Sequence, residues 1–344
     1  MSFSKKPITV MFFMVIFCWC VSAENVNAQI NNDVQASIHN YAFQQFTAGN
    51  YERVIEIVDA AFNFGITDKY LRADAYYLRS AAHLYLKNYD EAFNDIIRSM
   101  ELHYWANSFD LLSIIYHKTR RYKDALLAIN RAIELNDQNL EFFRTRAIIY
   151  NDLREFENAL NDINYVLSIE PQSAETLSIK SSVYIFMNEL QEALDYINKA
   201  ISIEPEDASF WARRGIIYYD MGNLDEALIA YSKAIDLDTS RYDLYEMRGL
   251  IFKKLGRNAD ALNDFNMAIR LAPNVLRLYE YRGRLHLEMG NYMESLNDLV
   301  EYARLTGDEE VQREVQRFQG ELMPDIEAYM DLKQFAELLE RFLK

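Results

Sequence analysis

The chain is short of the residues that usually staple or punctuate a fold. Of its 344 residues only two are cysteines, Cys18 and Cys20, and both fall inside one N-terminal apolar run. Past that run there is no thiol, so disulfides, thiolate metal sites and cysteine nucleophiles are excluded, and a hydrophobic core must hold the rest together. Proline (5) and glycine (10) are scarce, which excludes collagen-like and long linker-like segments. Positive charge is in deficit: 36 Lys and Arg face 52 Asp and Glu, a formal net charge of −16. A nucleic-acid binder needs a basic stripe to displace counterions from phosphates, so no nucleic-acid partner is expected; attraction to anionic lipid headgroups is disfavoured for the same reason. No Asn-x-Ser/Thr sequon occurs.

Catalytic signatures are missing as well. There is no H-E-x-x-H, no G-x-S-x-G, no G-x-x-x-x-G-K-[ST] and no G-x-G-x-x-G. None of His39, His83, His103, His117 and His286 is paired with a second ligand at metal spacing. His117 is expected on an exposed turn, while His83 and His286 stand in a column otherwise held by tyrosine and read as packed rings. The expectation is no enzyme, no cofactor and no metal.

What is present begins at the N-terminus. Lys5 and Lys6 form a positive segment, and Ile8 to Val21 is apolar apart from Thr9. "VSA", ending at Ala23, offers small residues for cleavage, and "VNA", ending at Ala28, is the alternative. This is the layout of a secretory signal peptide over residues 1–23. The 14-residue run is shorter than the roughly 20 residues needed to span a bilayer, although an uncleaved anchor is the other reading. Bulky Phe17 and Trp19 argue against a lipoprotein signal. With no later cysteine and no sequon, an exported protein of a bacterial periplasm or cell surface is expected, without a direct membrane span after cleavage. Residues 24–34, "ENVNAQINNDV", read as a polar linker.

The remainder is periodic. The phrase "GNLDEALIAYSKAID" at 222–236 returns as "KNYDEAFNDIIRSME" at 87–101, "RRYKDALLAINRAIE" at 120–134 and "NELQEALDYINKAIS" at 188–202. The alanines Ala92, Ala125, Ala159, Ala193, Ala227 and Ala261, then Ser295, are spaced by 33 or 34 residues, with Val54 in a weaker early copy. Within each copy apolar residues recur three and four apart in two runs, which predicts two amphipathic helices. Gly49, Gly222, Gly256 and Gly290 suit the turn between them, and Pro171, Pro205 and Pro273 follow the second helix. Ala42, Ser80, Ser113, Ala147, Ser181, Gly215, Gly249 and Gly283 form a small-residue column in the first helix that predicts close contact with the alanine column. Such a pair buries its apolar face only by stacking on neighbours, which predicts an elongated superhelix with one continuous core.

Thirty-four residues is the tetratricopeptide period, and the columns resemble that family closely. Trp211, Gly215, Tyr218, Gly222, Ala227, Tyr231 and Ala234 match its pattern, with Arg214 where the family usually has Leu. The resemblance covers 35–309 in eight copies, at about 35–72, 73–105, 106–139, 140–173, 174–207, 208–241, 242–275 and 276–309. It implies an all-α, right-handed α-solenoid of about eight tetratricopeptide helix pairs with C-terminal capping helices. Residues 310–344 read as those caps or a degenerate ninth repeat; the alternative is a partner-binding amphipathic helix.

The resemblance also implies that the first helices line a concave groove for a segment of a partner. The groove positions would be Leu78, Leu111, Ile179, Met247 and Tyr281 two before the small column, and Ile114, Ile148, Ile216, Leu250 and Arg284 one after it. Phe186 and Tyr219 would lie near the rim, and Arg144, Arg213 and Arg284 could meet carboxylates of the partner. Two readings of these apolar columns stay open: a groove for a peptide with aliphatic or aromatic anchors, or burial between neighbouring first helices. The Lys and Asn clamp of chaperone-tail binders is not present, because its columns carry Tyr77 and Ala81, then Leu111, then Glu141 and Thr145. The expected function is a non-catalytic protein–protein interaction scaffold that binds a protein or peptide segment in an envelope or secretory assembly. The alternative is a self-associating structural component, a homo-oligomer assembled through the C-terminal helices.

Overall fold

The computed structural model describes residues 37–307 together with 309, 312 and 313. The expected signal peptide, the whole of the expected linker and most of the C-terminal tail lie outside the described residues. Among the described residues there is no strand. The helices are α1 (residues 37–47), α2 (Tyr51–Phe64), α3 (Lys69–Tyr85), α4 (Tyr89–Leu102), α5 (Ala106–Lys118), α6 (Tyr122–Leu135), α7 (Leu140–Asp152), α8 (Phe156–Ile169), α9 (Ala174–Phe186), α10 (Leu190–Ile203), α11 (Ala208–Asp220), α12 (Leu224–Leu237), α13 (Tyr242–Lys254), α14 (Asn258–Leu271), α15 (Leu276–Glu288) and α16 (Tyr292–Thr306). Odd numbers are first helices and even numbers second helices of a pair. This is an all-α helical repeat fold.

The chain divides into two compact units that meet at Val166 and Leu167. In the N-terminal unit α3 packs on α4 and α5 on α6, and each second helix then packs on the next first helix. The C-terminal unit repeats the scheme from α9 to α16. Each helix thus buries its stripe on its sequence neighbours, as a repeat whose single pair cannot close a core must.

The two kinds of helix start differently. Four first helices begin at side-chain caps: Asp68 accepts from the N–H groups of Tyr70 and Leu71, Asn139 from that of Glu141, Ser173 from that of Thr176 and Asp207 from that of Ser209, whereas α5, α13 and α15 follow Trp105, Arg241 and Val275, which make no such bond. The second helices α2, α4, α6, α10, α12, α14 and α16 have no such caps, and the turn before each instead closes the end of the first helix, its N–H groups bonding to that helix's last carbonyls. In that turn, residue 88 donates its N–H to the carbonyl of His83 and residue 87 to that of Leu84, and the same double bond recurs at 120/121, 154/155, 188/189, 222/223, 256/257 and 290/291. It needs a left-handed residue. Gly49, Gly222, Gly256 and Gly290 supply one without cost, but Lys87, Arg120, Arg154 and Asn188 take the same conformation, at φ of 59° to 63°.

The small-residue column and the alanine column meet as expected. Ala92, Ala125, Ala159, Ala193, Ala227 and Ala261 are all fully buried. The contact is matched in volume. Where the first helix has Ser80, Ser113, Ala147 or Ser181, the facing second-helix residue is Ile96, Ile129, Ile163 or Ile197. Where it has glycine the ring grows: a Cβ on Gly215 would come within 2.7 Å of the Tyr231 ring, and one on Gly249 within 2.9 Å of the Phe265 ring. Ser80 and Ser181 add a hydrogen bond from Oγ to the carbonyls of Ala92 and Ala193, each at 2.7 Å. In the last pair the roles reverse, with Ser295 Oγ donating to the Gly283 carbonyl at 2.8 Å.

A second interaction, not anticipated from the sequence, ties pairs together. Arg146, Arg248 and Arg282 each grip an aspartate 16 residues on, Asp162, Asp264 and Asp298, through Nε and Nη2 at 2.5–3.2 Å. Arg79 does the same to Asp95 at 2.7 Å. The other arm of the fork reaches the preceding second helix: Arg146 Nη1 to Asn130 (2.9 Å), Arg248 Nη1 to Ser232 (3.1 Å), Arg282 Nη1 to Asn266 (2.5 Å), and Arg79 Nη1 to Asp59. One guanidinium therefore holds three helices, a use suited to arginine's rigid fork. Where the aspartate is missing the arginine is replaced or re-used. Leu112 stands with Ala128, Lys180 lies 4.6 Å from the Tyr196 ring, and Arg214 stacks over Trp211 at 5.0 Å.

Two outcomes follow. Lys87→Gly, Arg120→Gly or Arg154→Gly relieves a left-handed penalty of about 1–2 kcal/mol at an entropic cost of about 0.5–1 kcal/mol. Each should raise the thermal midpoint by an amount corresponding to roughly 0.5–1 kcal/mol, and a fall would refute the turn geometry. Gly215→Ala drives a methyl into a buried ring and should cost about 1–3 kcal/mol, whereas Gly215→Ala with Tyr231→Ile recreates the pairing of earlier repeats and should recover most of it. Denaturant titrations of the single and double variants check this.

Candidate functional site

The sequence-derived groove positions separate into two groups. Leu78, Leu111 and Ile179 are buried, and Leu78 and Leu111 sit in core clusters with Ala82 and Ala81. For Leu78 and Leu111 the role is packing, because successive first helices contact one another, α3 with α5 and α5 with α7. Arg144 is also buried and its Nη1 pairs with Glu141. These four are corrected from groove lining to the packed interior.

One register position later, exposure returns. In the N-terminal unit Ile148 is 39% exposed and Ile114 half-buried; in the C-terminal unit Ile216 is 40% exposed and Leu250 half-buried. The adjacent Ile149 and Ile217 are buried in the core. Phe43 on α1 is exposed at this same register position. Phe186, at the end of α9, is exposed, while Met247, Tyr219 and Tyr281 are half-buried. Tyr219 takes Lys254 Nζ over its ring at 4.6 Å.

The charges on the first helices are mostly consumed internally. In the C-terminal unit Arg277 donates to Glu246 through Nε (2.5 Å) and Nη2 (2.8 Å), Arg284 pairs with Glu280 at 2.8 Å, and Lys253 with Glu288 at 2.8 Å. Arg213 is different: its Nε is shielded from solvent and bonds to nothing, and burial pushes its guanidinium down. In the N-terminal unit His117 Nε2 lies 2.6 Å from Asp152 Oδ2 across α5 and α7, so it is a partly buried clasp rather than the exposed histidine expected. His83 and His286 do stand in the packed ring column, each with Nδ1 3.4 Å from Asn88 or Asn291.

Asp110 on α5 was invisible to the sequence reading. Its Oδ1 is shielded from solvent and accepts no hydrogen bond, while its carboxylate takes a hydrogen bond from Thr145 on α7. Burial is the main reason its pKa rises to about 6; Thr145 opposes the shift and the charge of Glu141 adds to it. No cation is set against it. Asp74 on α3 is also pushed up by burial, offset by His39 and His103. Tyr77, which shares the register of Asp110, is raised to about 12, first by burial and then by the charges of Asp110 and Asp74. Nothing about an acid in an amphipathic helix distinguishes this group in one dimension; only the pairing of its neighbours does.

Among the described residues no group of three or more His, Cys, Asp or Glu is placed to hold a metal ion, and no helix is long and apolar enough to cross a membrane. Three family models, each described as a tetratricopeptide repeat, match residues 174–207, 208–239 and 246–309. No curated protein matches the chain. Among solved structures, the chain resembles yeast Tom70 at 15% identity and a TM-score of 0.64, over 85% of this chain and 59% of that one. It resembles the Cut9–Hcn1 hetero-tetramer of the APC/C at 13% identity and a TM-score of 0.57, over 84% and 57%. A tetratricopeptide repeat protein of Parabacteroides merdae ATCC 43184 matches at 21% identity and a TM-score of 0.50, over 72% and 98%. At these identities the likeness speaks for the fold.

The raised pKa of Asp110 gives a stability test. A carboxyl that holds its proton more tightly folded than unfolded makes stability fall as pH rises from its unfolded pKa of about 4 to its folded value of about 6. Asp110→Asn keeps an acceptor for Thr145 and removes the buried charge. It should be more stable than wild type at about pH 7.5, by on the order of 2 kcal/mol, with the gap closing near pH 4. Equal midpoints at both pH values would contradict the burial of this carboxylate.

Proposed function

We propose that this chain, whose residues 174–239 and 246–309 match tetratricopeptide repeat models, is a protein-interaction scaffold that docks an extended or helical segment of a partner protein on the first-helix face, within an exported or envelope assembly. The observation that carries the reading is the aliphatic register beside the small-residue column. Ile148 and Ile216 remain about two-fifths exposed although the repeat core is already closed by Ile149 and Ile217. Water-facing aliphatic side chains recurring on a rigid frame are what a segment with apolar anchors uses. Second helices also expose aliphatic side chains, but Leu127 and Ile229 share a register that otherwise holds Asn94, Asn161, Asp195, Asn263 and Asn297, and Leu135, Ile169, Ile203 and Leu271 sit at the C-terminal ends of their helices, not along a helix face. Export is supported by Lys5, Lys6 and the apolar run that follows, and the acidic balance of −16 suits a soluble surface. No chemistry is assigned: most charged groups of the first helices are tied in ion pairs of the frame, and the family is generally non-catalytic.

The test is photo-crosslinking in envelope extract with a crosslinking residue in place of Ile148, Ile216, Leu127 or Ile229. Partner adducts should come from the first two positions and be scarce at the last two. An even yield, or one concentrated at Leu127 and Ile229, would remove the assignment of the face. Intact mass of the recovered protein should show cleavage after Ala23 or Ala28; an unprocessed chain would remove the export claim.

A further inference from the structure

We propose that the first-helix face of the N-terminal unit receives a basic–apolar segment, with a Lys or Arg side chain of the partner set against Asp110 and an aliphatic or aromatic neighbour on Ile114 and Ile148. The proposal rests on the docking reading above and names the chemistry of its ligand. Four residues form the patch. Asp110 and Ile114 are one turn apart on α5, and Thr145 and Ile148 are one turn apart on α7, so each pair shares a face. The Thr145 hydrogen bond to Asp110 joins the two helices at this point. The patch is therefore an aliphatic floor with a carboxylate at one edge.

Charge complementarity then selects the occupant. Other acids on the first helices of the N-terminal unit have partners: Glu141 is paired with Arg144, Asp152 lies 2.6 Å from His117, and Asp74 on α3 lies 3.8 Å from His39. Asp110 has a single hydroxyl donor, one oxygen without a bond, and the negative Glu141 as the charge that acts on it. A buried ion without a counter-ion is unfavourable for the fold, and an incoming ammonium or guanidinium removes that penalty while its aliphatic stem lies along Ile114 and Ile148. An acidic segment would meet repulsion from both Asp110 and Glu141. The net charge of −16 steers in the same direction, since it draws basic partners and slows acidic ones.

The experiment is selection of displayed random peptides on the full chain, followed by affinity measurements of the enriched peptides against wild type, Asp110→Asn and Ile148→Glu. Enriched peptides should place Lys or Arg next to an aliphatic or aromatic residue. Changing that cation to Gln should weaken binding to wild type about tenfold or more and have little effect on binding to Asp110→Asn. Ile148→Glu should weaken binding by disrupting the aliphatic floor. Circular dichroism of each variant at the assay temperature confirms that the comparison is between folded proteins. Enrichment of acidic or uncharged peptides, an equal cost of the Gln change in both backgrounds, or no enrichment at all overturns the proposal. Peptides that bind here with no preference for a cation sink this inference and leave the docking reading intact; peptides indifferent to Ile148→Glu sink the docking reading itself.

Discussion

Everything in this molecule depends on two helices of one repeat approaching closely enough for a side chain to reach between them. The approach is set by the small column, and its volume is shared between partners rather than fixed at one position. Ser80 with Ile96 and Gly215 with Tyr231 fill the same space in different ways, because interiors pack densely and tolerate exchange only when the total is kept. That matched contact explains why the repeats can drift in sequence while the helices keep their spacing. It also explains the reversal in the last pair, where the serine moves to the second helix and still finds a carbonyl across the contact.

Given that spacing, the arginine forks can operate. Arg146, Arg248 and Arg282 reach aspartates that are nearly buried, and the same guanidinium touches the previous second helix. A buried carboxylate left without its arginine would be costly, and the aspartate occurs only with the arginine: Asp with Arg in four repeats, Ala128 with Leu112 in another, while Arg214 opposite Ala230 stacks on Trp211 instead. The apolar contacts are generic in direction, whereas a two-armed fork fixes how one pair sits on the next. Side chains of the first helices, including those on the exposed register, are held in place by this lattice.

The helix pairs, their turns and the buried alanine column were legible because period, small residues and proline all give one-dimensional signals. The turns at Lys87, Arg120 and Arg154 were not, since no glycine marks them; there the paired turn hydrogen bonds and the packing on either side impose a conformation that the residue itself disfavours. The position two before the small column misled for a different reason. Leu78, Leu111 and Ile179 have the right residue type for a groove, but all three are buried, Leu78 and Leu111 where successive first helices touch. Amphipathic pattern tells which side of a helix is apolar and not how far the neighbouring helix covers it. The Arg and Asp spaced by 16 were readable, and would have been found by asking which opposite charges recur at a constant interval.

A formal charge is a poor guide to a binding face for the same reason. The excess of sixteen negative charges acts over distances that salt screens within about 8 Å, so at contact range only unpaired groups matter. Once the frame's own ion pairs are discounted, Asp110 on the first helices of the N-terminal unit and Arg213 and Arg214 on those of the C-terminal unit each keep a solvent-shielded polar atom with no hydrogen-bond partner in the protein. Packing alone gives no reason to keep Asp110 or Arg213: an amide would hold Thr145 as well as the carboxylate does, and an aliphatic residue at 213 would continue the column of Ile179 and Met247. Charges the fold does not use, next to aliphatic side chains the core does not use, are the groups that the proposed partner segment would engage.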